Sequence, residues 1–227
     1  MKLKAEDELL IFDYDGTLHD SIQIYAPAFR KSYRALVRMG YVPEKQFTDM
    51  EISRWLGFTA QEMWQLFMPE LPQKLREECS RMIGDEMVRL TQKNKALLYS
   101  GALNMLERLS AEHSLILLSN CKRRYMEVHR HCFELDKYFD DFYCAEEYHF
   151  IPKWKILQQI WTHSDRSKGI VIGDRWQDME AAQKNGLPAV GCAYGYGSRD
   201  ELAGAAKIVN DCAALYTAIK KITNLCI

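Results

Sequence analysis

The sequence predicts a doubly wound α/β fold with an all-helical insert. Three observations predict it: short apolar runs that end in turn chemistry, helical periods between those runs, and one long interval without strand character. The first run is Leu9-Leu10-Ile11-Phe12, followed much later by Leu115-Ile116-Leu117-Leu118, Gly169-Ile170-Val171-Ile172 and Ala189-Val190-Gly191-Cys192. Uninterrupted apolar runs of this length read as parallel strands covered on both faces. Shorter strands are expected at Phe142-Tyr143-Cys144 and Lys207-Ile208-Val209, and helices near 102–112, 122–133, 154–163, 177–185 and 212–222. Strand and helix in alternation wind a parallel sheet with helices on its faces.

From about residue 18 to 95 the rhythm breaks and only helical spacing is left. Ile22, Tyr25, Ala26, Phe29, Tyr33, Leu36 and Val37 share one helix face. Leu75, Cys79, Met82, Ile83, Val88 and Leu90 make a second, and Met63, Leu66 and Phe67 a short third. The expected organisation is a core built from 1–17 and 96–227 with a helical unit over 18–95. The alternative is one thick α/β domain carrying extra helices.

Composition narrows the function classes. With 227 residues, 48% apolar and 27% charged, the chain has the usage of an ordinary globular protein large enough to bury a core. Thirty Lys plus Arg against thirty-one Asp plus Glu leave no basic excess for a nucleic-acid backbone. No apolar stretch approaches the ~20 residues of a membrane span, and the charged start followed by the short run Leu9 to Phe12 is not a signal peptide. Seven cysteines, an odd number with no CxxC pair, fit a reducing cytoplasm better than a disulfide framework.

In an open parallel sheet the ligand crevice lies beyond the carboxyl ends of the strands. The polar residues found there are Asp13-Tyr14-Asp15-Gly16-Thr17 after the first run, Ser119-Asn120 after the second, and Gly173-Asp174-Arg175-Trp176-Gln177-Asp178 further on. Lys153 opens the helix leading to that last group. Singly these are ordinary turn and cap residues. Together they are the groups a phosphoryl-transfer site requires. Asp13 and Asp15, two apart at a strand end, point to one side, and Asp178 lies one helical turn from Asp174. Four carboxylates gathered within ~5 Å would repel by ~3 kcal/mol per pair at an effective dielectric near 20, so protons or a cation must sit among them. With only oxygen donors in these motifs, Mg²⁺ is the expected ion. His129 and His131 diverge too far around a helix to share a metal, and Cys121 has no matched base in the sequence.

The ordered set DxDGT, strand-end Ser-Asn, downstream Lys and GDxxxD resembles the haloacid dehalogenase superfamily of phosphohydrolases over essentially the whole chain. DGTLHDS at the entrance to the insert, the stretch Gly186 to Gly191, and Tyr194-Gly195-Tyr196-Gly197-Ser198 are similar to its phosphoglycolate-phosphatase-like branch. The resemblance implies a Rossmann-like core, a helical cap over 18–95 that acts as lid and chooses the substrate, and Asp13 as nucleophile with Asp15 as general acid and base. It further implies phosphoryl or substrate binding by Thr17, Ser119, Asn120 and Lys153, with Lys155 as the alternative lysine. Mg²⁺ would be held by Asp13, Asp15 through its backbone carbonyl, Asp174 and Asp178. The segment Trp55-Leu56-Gly57-Phe58 is either a specificity loop or a buried turn. The implied protein is a cytoplasmic Mg²⁺-dependent phosphatase of a small phosphorylated metabolite, monomer or homodimer. Phosphoglycolate leads the candidates, and nucleoside monophosphates, sugar phosphates and pyrophosphate stay open. A phosphomutase of the β-phosphoglucomutase type and a non-catalytic binding module are the other readings of the same residues.

Overall fold

A computed structural model describes residues 8–162 and 168–223. The charged start over 1–7, the last position of the helix expected over 154–163, and Cys226 lie outside the described residues. Strands β1 (Glu8–Phe12), β2 (Ser114–Ser119), β3 (Asp141–Cys144), β4 (Lys168–Gly173), β5 (Ala189–Cys192) and β6 (Lys207–Val209) form one parallel sheet in the order β3-β2-β1-β4-β5-β6. Phe12 is in register with Leu117 on one side and Ile172 on the other, so the carboxyl ends of β1, β2 and β4 lie level. The chain moves outward from β1 to β3, then returns to place β4 against the other edge of β1. This reversal is the topological switch point at which doubly wound sheets open a crevice.

Between β1 and β2 run α1 (Ile22–Arg38), α2 (Asp49–Ser53), α3 (Ala60–Phe67), α4 (Gln73–Gln92) and α5 (Ala102–Ser110). The later helices are α6 (Arg123–Cys132), α7 (Lys153–Thr162), α8 (Trp176–Lys184) and α9 (Ala214–Thr223). Alternation along β1 sends Leu10 and Phe12 into one core with Leu106 and Leu109 of α5, Met126 of α6 and Ile219 of α9. Leu9 and Ile11 enter the other core, against Ile156 and Leu157 of α7 and Met179 and Ala182 of α8. Both faces of the sheet are thereby covered. No helix among the described residues is long and apolar enough to cross a membrane, and the six described cysteines are free thiols.

The first four helices pack with one another and onto the first of these cores. On α1 the expected face is buried from Tyr25 through Leu36, with Ile22 and Val37 half-buried at its margins. Two details differ from the sequence pattern. On α3 the buried pair is Met63 and Trp64, while Leu66 is 61% exposed. Met63, Phe67 and Trp64 span an arc of about 100° on a 3.6-residue helix, and Leu66 falls about 100° from its centre. On α4 the inward stripe is Cys79, Ile83, Met87 and Thr91 at four-residue steps, so Leu90 is only half-buried. Thr48 with Glu51 and Thr59 with Glu62 form reciprocal capping boxes that start α2 and α3.

Candidate active site

Asp13 follows directly on β1, and its N–H continues the sheet ladder by donating to the Ile172 carbonyl at 2.8 Å. That bond fixes the backbone from which the carboxylate projects. Lys153, the first residue of α7, is buried and places Nζ 2.5 Å from Asp13 Oδ1 and 2.5 Å from Asp178 Oδ1. Asp178 Oδ2 accepts from the Arg175 N–H at 3.0 Å. Asp174, fully buried, accepts from the Tyr196 N–H at 2.7 Å and from the Thr17 hydroxyl at 3.3 Å. Ligand-capable oxygens of Asp13, Asp174 and Asp178 lie within 4.8 Å of one another.

This crowding sets the electrostatics. Burial, followed by the neighbouring carboxylates, holds Asp13 well above the usual carboxylate range despite the opposing pull of Lys153. Burial and then Asp178 push Asp174 up to about 7. Burial alone would lower the Lys153 ammonium, but Asp13 and Asp178 outweigh it and keep the lysine charged. The negative charge is therefore only partly compensated by the protein's own cation. A three-carboxylate, all-oxygen cluster of this kind fits a hard divalent ion. Close approach around it is enforced by glycine. A Cβ on Gly16, whose φ is +93°, would stand 2.3 Å from Asp174 Oδ2, and one on Gly195 would stand 2.3 Å from Asp174 Cβ.

Asp15 has a different environment. Its Oδ1 accepts from Ser21 Oγ at 2.5 Å and Tyr125 Oη at 2.7 Å, and pairs with His19 Nδ1 at 3.0 Å. Burial opposes the charged form, but these three partners outweigh it and hold the carboxyl below its ordinary value. The sequence reading gives none of the three partners a role, although His19 and Ser21 fall within the quoted DGTLHDS. His19 and Ser21 follow DGT so closely that their nearness was readable. Tyr125 is 110 positions from Asp15, and only the strand-end turn at Ser119-Asn120, leading into α6, pointed toward the site.

Asp13, Asp15, Ser119, Asn120 and Cys121 line one cavity of ≈ 160 Å³ whose far wall is made by the helices following β1. Thr17 is fully buried and turned to Asp174 instead of to this cavity. Lys155 is exposed, with Nζ 5.3 Å from the Trp154 ring centre. Burial pushes the Cys121 thiol far up, so it is no thiolate. His129 is a fully buried core residue, partnered by Tyr14 Oη at 2.7 Å and Thr91 Oγ1 at 3.0 Å.

The segment Trp55 to Phe58 lines the same cavity and is gripped from the sheet side. Asn120 Nδ2 donates to the Gly57 carbonyl at 2.9 Å, Gln177 Nε2 to the same oxygen at 3.4 Å, and Arg175 Nη1 to the Leu56 carbonyl. The Arg175 guanidinium also lies 5.1 Å from the centre of the Phe58 ring. Three residues, Asn120 beyond β2 and Arg175 and Gln177 at the start of α8, thus clasp one turn of the helical unit.

A switch-point crevice with aspartates beyond the ends of β1 and β4 marks a ligand-binding protein of the doubly wound α/β class. The chain belongs to the haloacid dehalogenase-like hydrolase family, which it matches over residues 10–192. It is 26% identical to a phosphoglycolate phosphatase of Synechococcus elongatus over 208 residues, covering 87% of this chain and 89% of that protein. It is also 26% identical to a 5'-nucleotidase of Pseudomonas aeruginosa over 209 residues, covering 85% and 86%. Among solved structures, a protein from Clostridium acetobutylicum described as a predicted phosphatase superimposes with a TM-score of 0.80 at 22% identity, covering 96% of this chain and all of that one. The two chains share this doubly wound fold.

Proposed function

We propose that the protein hydrolyses a small phosphomonoester through an aspartyl-phosphate on Asp13, with Mg²⁺ as cofactor. One observation carries the reading: Asp13 shares a cavity with Asp15 and Ser119 while Lys153, Asp174 and Asp178 crowd behind it. Family membership and the phosphatase and nucleotidase names of its relatives support it. The ion would be held by Asp13, Asp174 and the Asp15 backbone carbonyl, with Asp178 ligating directly or through water, and would supply positive charge beside the transferring phosphoryl group.

In this reading an Asp13 oxygen attacks phosphorus and the ester oxygen leaves with a proton from Asp15. Water then attacks the acyl phosphate, giving its proton to the Asp15 carboxylate, and phosphate departs. Covalent catalysis splits one displacement into two. Ser119, Asn120 and Lys153 orient the phosphoryl oxygens, since this chemistry is mainly positioning and charge stabilisation. The three partners on Asp15 favour its anionic form, which suits accepting the proton from water and opposes the acid half of its role. The proton it passes to the leaving oxygen is therefore one delivered by the singly protonated phosphate of the incoming substrate. Helices α1–α4 serve as a cap that excludes bulk water and selects the alcohol half of the substrate. The branch resemblance points to phosphoglycolate, whereas the nucleotidase relative points to a larger ester.

The test is phosphate release from a panel of phosphorylated metabolites, with and without Mg²⁺. Purified Asp13→Asn is expected to be inactive, and chelation by EDTA to abolish turnover until metal is restored. Turnover by folded Asp13→Asn would refute the nucleophile.

A further inference from the structure

The cavity that holds Asp13 and Asp15 runs from these carboxylates to one side of α4. Ser80, Ile83, Gly84 and Met87 all line it, at the steps of three and four that put residues on one helix face. Gly84 is the anomaly in this stripe. It lies in the interior of a 20-residue helix, where glycine is a poorer helix former than any residue but proline. Packing does not demand it, because a Cβ at Gly84 would meet no neighbouring atom within 4 Å. The helix therefore presents bare backbone to open space in the cavity, at a cost to its own stability.

Aromatic side chains border the same space. Trp55 and Phe58, in the turn clasped from the sheet side, and Phe150, just before α7, are each half-buried, so part of each ring stays uncovered. Phe150 has a φ of +55°, in the left-handed region that bulky residues avoid, so its backbone carries strain where the ring meets the cavity. Several polar groups on the wall are already engaged. Ser80 Oγ donates to the Arg76 carbonyl at 2.7 Å, Tyr125 Oη to Asp15 at 2.7 Å, and Asn120 Nδ2 to the Gly57 carbonyl at 2.9 Å. Tyr25 contributes a neutral hydroxyl, and Lys122 is exposed.

This wall bears on the alcohol half of the substrate. A carboxylate or second phosphate there would face apolar side chains, with Asp13 and Asp15 of like sign nearby, and sugar hydroxyls would give up water for few partners. A flat, uncharged ring has the opposite needs. It covers the open ring area, packs against aromatic edges and the Met87 sulfur, and lies on backbone where a side chain would stand in its way. We propose that the alcohol half is an uncharged aromatic ring, seated on the Gly84 backbone among the rings of Trp55, Phe58 and Phe150. The missing side chain at position 84 makes the room for it.

The inference names a substrate class for the proposed phosphatase and rests on that reading, and the experiment separates the two. With Mg²⁺, kcat/KM is measured for benzyl phosphate, glycerol 3-phosphate and phosphoglycolate, and for acetyl phosphate, which carries no ring. The first two are esters of primary alcohols, so they differ chiefly in what the wall must accommodate. Benzyl phosphate is expected to exceed both glycerol 3-phosphate and phosphoglycolate at least tenfold. Gly84→Ala is expected to raise the unfolding midpoint, and Gly84→Leu to lower kcat/KM for benzyl phosphate at least tenfold more than for acetyl phosphate. A smaller preference, a lowered midpoint in Gly84→Ala, or a Gly84→Leu protein that fails to fold or shows a smaller difference overturns the ring subsite. Phosphate release from any of the four compounds then leaves the phosphatase reading standing, and no release from any of them overturns both.

Discussion

Replacing Lys153 by methionine removes the cation that stands 2.5 Å from both Asp13 and Asp178. At an effective dielectric near 20, each such contact represents about 7 kcal/mol of gross attraction. Asp13 and Asp178, left within 4.8 Å of each other, would repel by about 3.5 kcal/mol, part of which is relieved as Asp13, already raised by burial, takes up a proton. Desolvation of the buried lysine opposes the attraction, so the net cost is that of breaking one side of a buried ion pair, about 3–5 kcal/mol. For a chain of this length that lowers the unfolding midpoint by roughly 6–20 °C. The assay is thermal unfolding at pH 7.5 without divalent metal, on the wild type, Lys153→Met, Asp178→Asn and the double variant. Because Asp178→Asn removes one of the charges the lysine leaves uncompensated, the double variant should be more stable than additivity predicts, by about 2 kcal/mol. A single-variant cost below about 1 kcal/mol, or strict additivity, would show that Lys153 does not neutralise this cluster.

Two further outcomes follow from particular environments. Burial, then the neighbouring His19, lowers His129 to about 3, so it stays neutral in the fold while the unfolded chain takes up a proton below pH ~6.5. Stability is therefore lost as pH falls from 6.5 toward 3. Urea titrations should show wild type losing about 2 kcal/mol more than His129→Gln between pH 7 and 5, and equal losses would contradict this. Gly16→Ala should drive Asp174 from its position, because the added carbon would stand 2.3 Å from a carboxylate oxygen at a φ of +93°. A loss of phosphatase turnover above about 100-fold with unchanged circular dichroism is expected, and near-normal turnover would contradict the close packing.

The sheet was legible because its strands are apolar on both faces, so runs such as Leu9–Phe12 stand out without any alternation to decode. The helical unit was legible as a region and less so in detail. Leu66 faces out, against its expected place on the α3 face, because eight residues are too few for periodicity to fix a face. The capping boxes at Thr48 and Thr59 were readable as T-x-x-E and went unused. In the site, strand-end carboxylates are local signals, and Asp13, Asp174 and Asp178 do converge. The hydrogen bond from Tyr125 to Asp15 depends on how α6 leaves the sheet, which no local pattern encodes. Nor does a sequence tell that the Trp64 N–H stands without an acceptor.

The clasp on the Trp55–Phe58 turn grips oxygen atoms of the main chain, at Leu56 and Gly57. Every amino acid carries that oxygen, so most side chains of the turn are free to change without undoing the joint. Descendants of such a chain could exchange Trp55 or Met63 for other residues, reshape the cavity wall, and still keep the same main-chain joint. Attachment and the lining of the cavity are thus written in separate parts of the polymer, and drift in one need not disturb the other.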